Sequence, residues 1–223
     1  MKKVNEIFDR LFDIIPGYIF GFLSFFVGLL ADILALALSP DYVMWEKSIS
    51  VLGHQTGGIY LRIGLIISGF LAVLFMVYFG RIIKDENVDE YLRKGAYIVG
   101  IFSSLCMSFA GIFSGGRLSD IHGFFALFSW LGGAAFCLLF SLSMRKNSKF
   151  SKLQIKIGFI VAGLFIFYLI PFFITNTCNY FADLCYDFGR AVYTILPATE
   201  WILLFSMLFW ILFNSSYLLY KKI

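Results

Sequence analysis

Six apolar runs separated by short polar stretches dominate the chain. They are Tyr18 to Leu38, Leu61 to Ile83, Gly95 to Ser114, Gly123 to Met144, Ile157 to Ile174 and Thr199 to Tyr220. Each is at or near the ~20 residues that an α-helix, rising 1.5 Å per residue, needs to cross a hydrocarbon core of ~30 Å. The fifth run is the shortest and carries Pro171 close to its end. Residues before the first run follow a different rhythm. Val4, Ile7, Phe8, Leu11, Phe12 and Ile15 recur at three-and-four spacing, with Glu6, Asp9, Arg10 and Asp13 between them. That is the pattern of an amphipathic helix, and Pro16-Gly17 breaks it before the first span. Its interleaved acids do not suit a cleaved signal peptide. Rest in the membrane interface is the simplest role for it, and docking of a partner is the alternative. The pattern therefore predicts an all-α polytopic membrane helix bundle. Residues 1–16 form a short interfacial amphipathic helix, and 17–223 a six-helix transmembrane domain with no linker dividing it.

Composition agrees. Hydrophobic residues make up 60% of the 223 and charged residues 14%, against about a quarter charged in soluble domains. Mean hydropathy is +0.86. The net charge of +4 would suit a nucleic-acid partner if its lysines and arginines were clustered, but they lie in short stretches between the spans. No nucleic acid is expected. Fourteen of the eighteen fall on one side; only Lys47, Arg62, Arg117 and Arg190 fall on the other. The excess of basic residues on cytoplasmic loops then puts both termini and the loops 84–94 and 145–156 in the cytoplasm of a multi-pass protein, with the cell membrane the expected location. Tyr42, Trp45, Tyr60 and Trp201 near the outer ends, and Tyr18, Tyr78, Tyr97 and Tyr217 near the inner ends, suit two aromatic belts. Small residues in spans three and four, among them Gly100, Ser103, Ser104, Ser108, Gly132 and Gly133, allow close helix approach and make these spans candidates for the bundle centre.

Ionisable groups are costly in lipid, and here they gather at the outer end. Asp32 lies about 9 Å below the end of its helix. The first outer loop supplies Ser48, Ser50 and His54, followed by Arg62; the second supplies Arg117, Asp120 and His122; Glu200 opens the last span. Together they form a candidate polar cup. Arg62 and Arg117 would take phosphate or carboxylate, with His122, Glu200 and Ser50 setting orientation. Taken singly, each has an ordinary explanation: Ser119 or Asp120 as a helix cap, Glu200 facing a helix dipole, Asp32 paired with Arg62. A zinc site would need both histidines plus Asp32, Asp120 or Glu200, but no metal motif is present and none is assigned. A nucleophile–base pair of Ser48 or Ser50 with His54 or His122 is chemically accessible. No cofactor is indicated. Cys178 and Cys185, in NTCNYFADLC, are spaced for a disulfide that would stiffen the third outer loop, whereas Cys106 and Cys137 lie within spans.

Several segments carry a family resemblance. SISVLG at Ser48 to Gly53, followed by IYLRIGLIISGFL from Ile59, resembles the six-span "domain of unknown function nine-nine-eight" membrane family of archaea and bacteria. So do AGIFSGGRLSDIHGFFALFSW at Ala110 to Trp130 and LPATEW at Leu196 to Trp201. That family is distantly similar to the DRAM-like and Sfk-type membrane proteins, which are associated with lipid handling. Ser114 departs from the family's proline, and the cysteine-bearing loop is longer than usual. The resemblance implies a fold and the positions Ser50, Gly53, His122 and Glu200, not an activity. The leading expectation is a protein that binds a lipid headgroup or small polar ligand in the outer cup. A lipid-modifying enzyme, by metal or by a Ser/His pair, and a small-solute transporter stand as alternatives. Membrane lipids, a small polar ligand and a second copy of the chain are the partners it admits.

Overall fold

The computed structural model describes residues 2–114 and 119–222. Among them are α1 (Lys2–Ile14), α2 (Gly17–Ala37), α3 (Ile49–Leu52), α4 (Gly58–Ile82), α5 (Glu90–Phe113), α6 (Ser119–Met144), α7 (Lys152–Tyr180), α8 (Ala182–Tyr193) and α9 (Leu196–Lys221). Six of these, α2, α4, α5, α6, α7 and α9, are long and apolar enough to cross a membrane. The protein is an all-α integral membrane bundle.

The long helices begin earlier than hydropathy alone suggests, and in α5 and α7 capping is the reason, because it places polar residues in their first turns. Asp89 accepts hydrogen bonds from the N–H groups of Tyr91 at 2.7 Å and Leu92 at 3.0 Å, starting α5. Ser151 and Gln154 form a reciprocal capping box that starts α7. Pro171 does not end the fifth span: α7 runs through it for 29 residues. The segment expected as a third outer loop is therefore mostly helix, formed by the last turns of α7 and by α8. The chain joins Cys178 to Cys185, and α8 bends at Cys185. Beyond the bend α8 returns against α7, where Thr175 donates to the Gly189 carbonyl at 3.4 Å.

The six long helices pack as a closed ring. Each touches its neighbour in sequence, and α9 closes on α2. No span is central, so α5 and α6 are walls of the ring rather than its axis. Their small residues serve the seams instead. A side chain on Gly132 would collide with Ser103, and one on Gly64 with Ala31. Ser24 donates across the α2–α4 seam to the Ser68 carbonyl at 2.9 Å, and Ser103 across the α5–α6 seam to the Ser129 carbonyl at 2.8 Å. The middle of the ring nearest the termini is filled by aromatics from several helices. Phe79 and Phe140 have ring centroids 4.9 Å apart, and Phe136 and Trp210 5.4 Å apart, all four fully buried. The aromatic half is thus filled along the ring's axis, while the cavities that border Ser50 and Glu200 lie in the opposite half.

At the terminal end, α1 lies against α4. Asp9 pairs with Arg81, whose guanidinium stands over the rings of Phe8 and Phe12, and Phe12 packs on Tyr78. Ile7 and Ile14 of α1 remain exposed. At the far end Trp45 and Tyr60 are exposed, as anchors in an aromatic belt would be. Tyr42 and Trp201 are not. Both are buried, and the Trp201 indole N–H donates to the Tyr42 hydroxyl at 2.9 Å.

Candidate functional site

The chain between α2 and α4 is pinned by its own side chains. The Ser39 hydroxyl accepts from Gly57 N–H at 3.1 Å, tying the two ends of the loop together. Gly57 lies so close to the backbone of Ala35 that no side chain would fit there. The Tyr42 hydroxyl donates within reach of the carbonyls of Lys47, at 2.7 Å, and Ser48, at 2.9 Å, while accepting from Trp201. Glu200, buried in α9, accepts from the N–H of Ile49 at 2.9 Å. These bonds fix α3 against α9 and leave Ser50, the second residue of α3, half-buried and facing α6.

There it meets His122. Ser50 Oγ stands 3.0 Å from His122 Nε2, and His122 Nδ1 stands 2.8 Å from the Ala110 carbonyl oxygen. A carbonyl oxygen only accepts, so Nδ1 carries the ring proton and Nε2 presents its lone pair to the serine hydroxyl. Two cavities adjoin this pair. An inner chamber of about 40 Å³ has Ser50, Ser114, His122, Ser129, Trp130 and Glu200 on its polar side. Leu61, Leu65, Met107 and Leu204 form its apolar side. A second, larger chamber of about 220 Å³ is bounded by Ser48, Ser50 and Glu200 on one side and by Tyr168, Asn176, Asn179 and Tyr193 on the other. Asn176 and Asn179 are exposed, so this chamber reaches the surface and serves as a vestibule. Ser50 and Glu200 belong to both.

Of the residues expected in the cup, Ser48, Ser50, His122 and Glu200 border these cavities. The others do not. His54 is exposed on the turn after α3, with Nδ1 2.8 Å from the Ser50 carbonyl. Asp120 is exposed in the first turn of α6. Asp32 is buried in α2, and its Oδ2 has no hydrogen-bond partner among the described residues. Arg62 Nε is likewise buried and unpartnered, and no ion pair joins it to Asp32. Arg117 lies outside the described residues. No described lysine or arginine therefore borders either cavity, and the anion-binding role expected of Arg62 has no support. The reason is helical phase: Arg62 follows Leu61, which faces the inner chamber, and so points about 100° away. Among the described residues no three His, Cys, Asp or Glu side chains gather as a metal set, so His122 and Glu200 lack a third ligand.

Ser114, Ser129, Trp130, Tyr168, Asn176, Asn179 and Tyr193 were missed by sequence reasoning. Ser114 carried a signal, since it stands where the family pattern has proline. The rest are ordinary polar and aromatic residues of membrane helices until the ring closes.

Comparison with known proteins adds one match. A family model described as "Protein of unknown function (DUF998)" covers residues 22–213. No curated protein and no solved structure matches the chain.

Proposed function

We propose a function from the site itself, because the chain belongs to the DUF998 family and that family's description names no activity: the far-end cavities bind the polar head of a membrane amphiphile. The observation that carries this is Glu200. A carboxylate is held in place by Ile49 N–H on the shared wall of two cavities, with no described Lys or Arg bordering either. Burying such a group favours a ligand that brings hydrogen-bond donors or positive charge and disfavours a free anion. Tyr168 and Tyr193 in the vestibule supply aromatic faces that suit an ammonium group. A vestibule of about 220 Å³ suits an ethanolamine or choline head more than a bulky glycan.

In this reading the far end faces out of the cell membrane and both termini lie in the cytoplasm, with α1 in the cytoplasmic interface. The excess of Lys and Arg at the terminal end supports that orientation, and so does a disulfide at the other, since disulfides persist in oxidising compartments. The exposed Ile7 and Ile14 of α1 support lipid contact. Transport is the weaker reading, because the aromatic cluster around Trp210 fills the ring beyond the inner chamber.

Native mass spectrometry of the full chain from mixed vesicles of phosphatidylethanolamine, phosphatidylcholine and phosphatidylglycerol tests the reading. Wild type should retain the zwitterionic lipids over phosphatidylglycerol. Glu200→Gln, whose amide oxygen can still accept from Ile49, should lose that preference. Equal retention profiles for wild type and the doubly changed His122→Ala, Glu200→Gln protein would remove the proposal.

A further inference from the structure

Resting on that binding reading, we infer that Ser50 and His122 form a nucleophile–base pair that cleaves a short acyl ester at the junction of the two cavities. Three observations converge. The tautomer set by the Ala110 carbonyl leaves Nε2 as an acceptor 3.0 Å from Ser50 Oγ, the geometry in which an imidazole takes a serine proton. In a catalytic triad the group that orients the histidine is a side-chain carboxylate; here it is a main-chain carbonyl, fixed because α5 and α6 are packed along their length. Glu200 acts one step removed. It binds Ile49 N–H, beside the nucleophile, and is a positioning residue for α3.

The cavities then assign the two halves of the substrate. Ser50 sits on the wall shared by the inner chamber and the vestibule, so an ester attacked there has its acyl side in one and its alcohol side in the other. The inner chamber is largely apolar and its 40 Å³ would hold about three waters, which is room for an acetyl-sized group and not for a fatty chain. The hydroxyls of Ser114 and Ser129 border that chamber and hydrogen-bond no other described group, so they can donate to a carbonyl oxygen that gains charge. The vestibule, with Glu200 and the two asparagines, takes the polar alcohol portion.

The chemistry balances without a further reactant except water. Ser50 Oγ bonds to the carbonyl carbon as its proton passes to His122 Nε2. The tetrahedral intermediate then expels the alkoxide, which takes that proton and leaves as the free alcohol. Water, deprotonated by the same nitrogen, attacks the acyl-serine; the carboxylic acid departs and Ser50 recovers its proton.

The test uses the full chain in lipid nanodiscs, treated with a fluorophosphonate probe and read by intact-mass and peptide mass spectrometry. One phosphonyl adduct on Ser50 is expected. Ser50→Ala should abolish it, His122→Gln should slow its formation at least about 100-fold, and Ser216→Ala, at the terminal end, should leave it unchanged. Nitrophenyl acetate should be cleaved at least about tenfold faster than nitrophenyl octanoate. Absence of an adduct on Ser50 in folded wild type, or equal labelling rates in His122→Gln, overturns the inference. Lipid retention measured on the same samples separates the two readings: retention with no adduct leaves binding standing and removes the nucleophile. Loss of selectivity with labelling intact removes the headgroup reading instead.

Discussion

At the scale of single residues, Tyr42 helps hold the site in place without bordering either cavity. Its hydroxyl serves the part-buried Lys47 and Ser48 carbonyls and receives the buried Trp201 N–H. Removing the oxygen strands those partners, and an unpaired buried polar group costs about 1–3 kcal/mol. Tyr42→Phe should therefore lower the melting temperature by several degrees, and Trp201→Phe by a similar or smaller amount. Because they share one bond, the double variant should lose less than the two single losses combined; strict additivity in thermal melts would refute the clamp. The clamp also has a pH signature. Burial, aided by the nearby Glu200 charge and opposed by the Trp201 donation, leaves the Tyr42 phenol pushed up to about 12. An unfolded tyrosine ionises near ~10. Its contribution is thus whole below about pH 10 and lost as pH rises toward 12, so the stability gap between wild type and Tyr42→Phe should close across that window. Asp32 gives the opposite expectation. A buried carboxylate with an unpartnered oxygen is a liability, so Asp32→Asn should melt no lower than wild type and up to a few degrees higher. A clear loss of stability would mean that the group has a partner in the folded protein.

At the scale of elements, the seams between helices depend on close approach. Gly64 packs against Ala31, with no space for a methyl group. Gly64→Ala must push α2 and α4 apart, at about 1–3 kcal/mol. Gly163 in α7 is exposed and has no neighbour within 4 Å, so Gly163→Ala gains helix propensity and nothing opposes it, by up to ~1 kcal/mol. Opposite signs in thermal melts are the expected outcome; equal effects would mean that helix propensity, not packing, governs both sites. The α7–α8 unit is a second case. The disulfide and the Thr175–Gly189 bond fold α8 back on α7, forming the vestibule wall that carries Asn176, Asn179 and Tyr193.

At the scale of the whole molecule, the ring divides into an aromatic half and a hollow half. The division places the polar chemistry opposite the termini, where the basic residues are fewest. Orientation can be measured directly, since the free cysteines Cys106 and Cys137 are buried and give little background. Asp187→Cys, exposed on α8, should react with an impermeant maleimide added to intact cells. Glu86→Cys, in the exposed turn between α4 and α5, should react only after permeabilisation. The reverse pattern would invert the proposed topology.

The membrane class, the six spans and the amphipathic first helix were legible in the residues themselves, because each depends on local quantities: apolar run length, helical period, and a proline and glycine between them. The pairing of Ser50 with His122 was within reach only as one of several combinations, and Ser48, Glu200 and the histidine were placed at the right end without partners. What remained hidden needed distances between helices. Whether Arg62 faces a cavity depends on the phase of α4 against α5, and the burial of Tyr42 and Trp201 on how a loop meets α9. The cavities themselves exist only once α9 closes against α2. Sequence sets which side chains lipid will tolerate on each helix. The packed ring alone decides which of them meet, because contacts across residues 50, 122 and 200 are made by neighbours in space and by no regularity along the chain.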